Sequence, residues 1–143
     1  MRTTALLIAI LVVAVTACSS DDLTETQEEA LITEDGVTAR QTGGVGPWIF
    51  THDPDAFNQA LHTGAPEVRD NCLYVDDTIV IWHESDAEYA EQLVADTRAG
   101  TAPNVKVPGG GISIDEGASP VQIPKTVRDR CPTNAVWFAG PIE

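Results

Sequence analysis

The chain has 143 residues, with 22 Asp and Glu against 8 Lys and Arg, for a formal net charge of −14. Such a surface is repelled by the phosphates of nucleic acid and by anionic lipid, which argues against either as a partner. A chain of this length is one small domain, with little room for a two-lobed solute cleft.

Taken in order, the chain opens with Arg2 and an apolar run from residue 5 to 15. That run is about half of the roughly 20 residues a membrane span needs. It ends in Val15-Thr16-Ala17-Cys18 and gives way at once to Ser19-Ser20-Asp21-Asp22. This pattern resembles the signal peptide and lipobox of bacterial lipoproteins. The resemblance implies cleavage after Ala17, diacylglycerol on the Cys18 sulfur, and an exported protein held on the cell membrane or outer membrane. Two acyl chains anchor stably where one is marginal. Ser19 after the cysteine resembles the pattern sorted to an outer membrane. Loss of Arg2 with the signal takes the net charge from −14 to −15.

The sequence then divides into a signal over 1–17, a lipidated acidic tether over 18–46, and a globular domain over 47–143. The tether carries Asp21, Asp22, Glu25, Glu28, Glu29, Glu34 and Asp35, with no basic residue before Arg40 and no aromatic residue. It buries too little to offset ordering entropy and is expected to be an extended spacer, with at most a transient helix over 26–32. Gly43-Gly44 and Gly46-Pro47 punctuate its end.

Trp48-Ile49-Phe50 opens the folded part as a short strand or docked arm. Asp53-Pro54-Asp55 has the form of a helix start, with Phe57 and Leu61 on one face and Gly64 as the stop. The competing assignment is a strand through 60–68. Leu73 and Val75 alternate with Tyr74, and Asp76-Asp77 suits a two-residue turn because Asp tolerates positive φ. Residues 78–83 are β-branched and aromatic, apolar on both faces, as in a central strand. Ser85-Asp86-Ala87-Glu88 has the spacing of a capping box, which predicts a helix over 86–98 stopped by Gly100. Four short strands follow, at 105–107, 112–114, 121–123 and 135–139. Pro103, Pro108, Pro120 and Pro124 bracket the first three. The expected fold is mainly β with one or two helices, an α+β chain built as a small antiparallel β barrel or sandwich.

With Cys18 taken by lipid, Cys72 and Cys131 remain in an oxidising compartment, and the reading is a structural disulfide. Closing a loop of this length is worth about 4 kcal/mol in the chain-entropy model. Neither cysteine lies in C-x-x-C, and no histidine stands at ligand spacing from them. The order Cys72-Leu73-Tyr74, Ile79 to Trp82, Gly109-Gly110-Gly111, and Cys131-Pro132 before Trp137 is similar to a group of small uncharacterised exported bacterial proteins. That group implies a fold and a disulfide but no activity. Here His83 stands where its members usually have Pro after the Trp, and a helix follows where they have a short loop.

The polar residues give no catalytic pattern. Gly109-Gly110-Gly111 lacks the Lys-Ser/Thr of a phosphate loop and precedes a strand, so a turn or bulge is expected. No G-x-S-x-G elbow is present. The histidines His52, His62 and His83 could meet Asp53, Asp55, Glu84 or Asp86, but no metal-ligand spacing links them, and no EF-hand pattern is present. The sequence therefore calls for no cofactor and no metal. It predicts a non-enzymatic binding or structural domain at the envelope, its partner an envelope protein or glycan. Trp48, His52, Asp53, Asp55 and His83 are the candidate contacts, and a metal-dependent hydrolase built on the His/Asp loops is the alternative. Trp82 and Trp137 sit inside apolar strands and read as core.

Overall fold

A computed structural model describes residues 31–114 and 123–142 of the chain. The signal segment, Cys18 and the tether as far as residue 30 lie outside the described residues, as do Val121 and Gln122 of one expected strand.

The first described element overturns the tether boundary. β1 (Leu31–Glu34) and β2 (Val37–Gln41) form an antiparallel hairpin, and β2 pairs in turn with β3 (Trp48–His52). The turn is Asp35-Gly36, with φ of 55° and 72°. Positive φ at both central residues matches the right-handed twist of the two strands, and Asp-Gly is the sequence that supplies it. Val37 and Ala39 point into the core at 2% and 0% exposure. Of the acidic residues that read as tether, Glu34 and Asp35 are the exposed ones at the turn, and the other five lie outside the described residues.

Residues 54–58 form no helix. The chain instead enters β4 (Ala60–Gly64), and after Ala65 continues as β5 (Pro66–Arg69). β4 pairs antiparallel with β8 (Val105–Ser113), while β5 pairs antiparallel with β6 (Cys72–Val75). The joint is clamped by Asp76, whose backbone N–H donates to the Ala65 carbonyl and whose carboxylate accepts the Ala65 N–H at 3.0 Å. Gly64 lies against that carboxylate, which leaves no room for a Cβ. Strand pairing thus prevailed over the helix-start signal at Asp53-Pro54, and Phe57 and Leu61 stay exposed rather than forming a buried helix face.

The turn at Asp76-Asp77 forms as expected, with Asp76 at φ 52°, and leads from β6 into β7 (Thr78–His83). β7 is a central strand buried on both faces. Ile79 and Ile81 join Phe50, Tyr74, Ile123, Val127 and the two cysteines in one core cluster. Val80 and Trp82 join Ile49, Leu73 and Val105 beneath α1 (Ala87–Ala99), which contributes Ala90, Leu93 and Val94. Full burial of an aliphatic side chain such as Leu93 or Val94 stabilises by roughly 1.5–3 kcal/mol each. Gly100 ends the helix in the left-handed conformation at φ 71°. The capping box does not form. The Asp86 carboxylate instead accepts the Ile142 N–H at 3.0 Å, tying down the chain end.

β9 (Ala135–Ala139) pairs parallel with β7 and antiparallel with β8, and β3 is parallel to β7. The result is an open mixed sheet, not an antiparallel barrel, in an α+β arrangement that remains mainly β. Three parallel pairings, of β3 with β6 and with β7 and of β7 with β9, are what a uniformly antiparallel reading missed. Each of β3, β7 and β9 is an apolar run, and apolarity alone carries no strand direction. A four-residue helix, α2 (Lys125–Arg128), covers the face opposite α1. Its buried Thr126 hydroxyl donates to the Glu34 carbonyl at 2.9 Å, locking the hairpin of β1 and β2 to the domain. Beside it lies the Cys72–Cys131 disulfide, whose cysteines are 59 residues apart and buried.

The triple glycine is not a turn. Gly109, Gly110 and Gly111 all lie inside β8. Only Gly109 has positive φ. The other two are required by contact: a Cβ at Gly110 would meet Asn58, and one at Gly111 would meet the Trp137 ring.

Candidate functional site

The parallel strands β3, β7 and β9 end side by side, at His52, His83 and Ala139. His52 and His83 are directly paired in the register. Ligands of open sheets with parallel strands gather beyond such carboxyl ends, where chain segments diverge and leave a crevice. Here the chain after His52 runs out through Pro54 and folds back across the sheet, and a cleft of about 430 Å³ opens beneath it.

Its walls are Phe57, Phe138, Ile112 and Pro54, with His52 and Asn58 as the polar side chains and the bare backbone of Gly110 and Gly111 along one side. The loop can lie this close because of glycine. A Cβ at Gly140 would fall inside the Phe57 ring, and Asn58 rests on Gly110. Phe57 is 43% exposed and also borders a second hollow with Leu61, Pro108 and Ile142, so it stands as a ridge between two concavities.

His52 is fixed in this wall. Its Nε2 lies 2.7 Å from the Ala139 carbonyl oxygen, and its ring meets the Phe138 ring edge-on at 5.5 Å. A carbonyl only accepts, so Nε2 carries the proton. Burial lowers the pKa below its ordinary 6.5; the Ala139 bond opposes the shift, the nearby His83 adds to it, and Asp53 opposes it. The neutral ring therefore keeps its lone pair on Nδ1, an acceptor with no hydrogen-bond partner among the described residues.

His83 is used differently. Its Nδ1 accepts from the Ser85 backbone N–H at 3.2 Å and lies 2.8 Å from Ser85 Oγ. Its Nε2 is 3.6 Å from Asp53 Oδ1. Asp53, His83 and Ser85 thus bring together the residue types of a hydrolytic triad. However, one lone pair on Nδ1 is shared by two Ser85 donors, the Asp contact is longer than a hydrogen bond, and Asp53 is 73% exposed. The geometry is that of a local cap on the short turn before α1.

Among the remaining candidates, Asp55 is exposed and lies between two wall residues without lining the cleft itself. Trp48 is at the opposite end of β3, roughly 13 Å away at the rise of a strand. There it packs on the disulfide-side core and carries the Arg130 guanidinium 5.0 Å above its ring. Trp82 is fully buried and touches Tyr89 edge-on. Among the described residues no three His, Cys, Asp or Glu side chains converge as a metal site would require.

Phe57, Asn58 and Phe138 were not singled out by the sequence. Phe57 read as a helix-face residue and Phe138 as interior to an apolar strand. Only the glycines at 110 and 140, which make room for Asn58 and Phe57, point toward the loop that lies over them. No family model, curated protein or solved structure matches this chain.

Proposed function

We propose that this chain is an envelope lipoprotein, anchored through lipid on Cys18, whose folded head binds a ligand at the His52 cleft without transforming it. The lipobox Val15-Thr16-Ala17-Cys18 supports the anchor and the exported location. One observation carries the binding role. The cleft of about 430 Å³ is walled by aromatic and aliphatic side chains and holds a few fixed polar groups, chiefly the His52 ring oriented by Ala139. Among the described residues no carboxylate, lysine or hydroxyl lines it, so the His52 ring stands there without the partner groups that a catalytic constellation needs, and recognition is the reading we favour.

The head also begins nearer to the anchor than the acidic composition suggests. With β1 starting at Leu31, only residues 19–30 of the sequence separate it from Cys18. The partner on this reading is an envelope protein or glycan close to the membrane. The test has two arms. Labelling with radioactive palmitate is expected for the natural chain and lost with Cys18→Ala. Envelope protein and glycan fractions passed over the immobilised protein are expected to yield a saturable ligand whose retention falls at least about tenfold with Phe138→Ala, as loss of a buried aromatic anchor does. No saturable ligand in either fraction would refute the binding role.

A further inference from the structure

β8 is longer than the strand beside it. β4 pairs with its first five residues, and the last rung is Ala60 with Gly109. On the other side β9 pairs with β8 as far as Ser113. The direction of the backbone groups follows from two bonds. Gly140 N–H donates to the Pro108 carbonyl, and Ile114 N–H donates to the Asn134 carbonyl. Even-numbered residues of this strand therefore face β9, and odd-numbered ones face the opposite edge. Gly111 and Ser113 are odd, and β4 ends before reaching them. Their N–H and C=O groups line an edge that no described strand occupies. Gly111 is exposed and has no side chain to shield that edge.

A second, independent feature flanks the same stretch, residues 111–113. The His52 cleft opens on one face of the sheet beside Gly111 and Ile112. On the other face, a hollow of about 240 Å³ is lined by His62, Thr78, Gly111, Ser113 and Trp137. An extended chain sends successive side chains to opposite faces. Backbone groups with no partner among the described residues, set between two hollows on opposite faces, match that alternation, which neither a compact solute nor a sugar ring presents.

We propose that the edge at 111–113 takes an extended peptide of another protein as an added strand, with neighbouring side chains entering the two hollows. This rests on the His52 cleft being a binding site. The larger hollow, between Phe57 and Phe138, suits a bulky apolar side chain. The smaller one, against Trp137 and His62, suits a short aliphatic one. Asp53 and Asp55 stand at the rim of the larger hollow, and the chain carries a net charge of −14, so the flanking positions of the peptide are basic.

The test is a random heptapeptide library displayed on phage and selected on the full mature protein in detergent. Enriched peptides are then resynthesised with N-methyl groups at alternate residues. Blocking amides in one phase is expected to weaken binding about tenfold or more, and blocking the other phase to change it less than about twofold. Ser113→Pro, which removes one edge N–H at a position where proline is tolerated, is expected to weaken binding by a similar factor. Equal tolerance of N-methylation in both phases overturns the proposal, and does so even if Ser113→Pro fails to fold. Binding of glycan fragments but no peptide, abolished by Phe138→Ala, leaves the cleft as a binding site and removes the added strand. Failure of both ligand classes removes both readings. Protection of the Gly111 and Ser113 amides by self-association assigns the edge to a second copy and also overturns the proposal.

Discussion

Removing the hairpin of β1 and β2 tests the domain boundary most directly. A chain of residues 47–143 keeps all that the composition marks as globular and loses only what reads as tether. The structure assigns this change a large cost. Val37 is 2% exposed, and burial of a valine side chain is worth roughly 1.5–3 kcal/mol. Ala39 is fully buried and adds about 0.8 kcal/mol for its methyl group. The Thr126 hydroxyl loses its one acceptor among the described residues, the Glu34 carbonyl, at about 1–3 kcal/mol for a buried group left unpaired. β3 also loses its antiparallel neighbour along Trp48 to Thr51. Together these amount to roughly 3–7 kcal/mol, a large part of the 5–15 kcal/mol that holds a typical domain folded. Guanidinium unfolding followed by tryptophan fluorescence, comparing 19–143 with 47–143, reads this as a lower midpoint or as no cooperative transition. Val37→Ala in the longer chain is expected to cost about 2 kcal/mol by itself. Equal midpoints for the two chains would refute the reasoning and restore the tether.

Reduction of Cys72–Cys131, or the double change to Ser, is expected to lower stability by about 4 kcal/mol, checked by unfolding with and without reductant. His52 gives a pH signature. Its folded pKa lies below 6.5, so its contribution is intact above about pH 6.5 and declines as the pH falls, because the unfolded chain takes up the proton first. His52→Gln keeps a donor for Ala139 and is expected to flatten the fall in melting midpoint between about pH 7 and 5; parallel curves for the two proteins would exclude this. Asp76→Ala removes the acceptor of the Ala65 N–H at an exposed joint, so a cost of about 0.5–1.5 kcal/mol is expected, with faster hydrogen exchange at the Ala65 amide.

The legible parts of the sequence were those where one residue type has one physical use. The apolar, β-branched 78–83 run forms a strand buried on both faces wherever the sheet places it. Gly100 stops α1 because the left-handed position has no Cβ penalty, and Asp76 turns β6 into β7 for a related reason. Two cysteines without metal spacing formed a bridge. The hairpin of β1 and β2 was present as Asp35-Gly36 between alternating residues, but the acidic composition around it masked the alternation of Val37 and Ala39.

Other features depend on residues distant in the chain. Whether 60–64 is helix or strand was settled by β8, more than 40 residues away, offering a ladder. The direction of β9 relative to β7 follows from how α1 and the cysteine bridge route the chain, since an apolar strand reads the same either way. The His52 cleft belongs to this second class. Phe57, Asn58, Gly110, Phe138 and Gly140 each have an ordinary local role, and only the sheet brings them to one place. Local propensity acts over a few residues, whereas a concave site is made from contacts that the packed core alone can define.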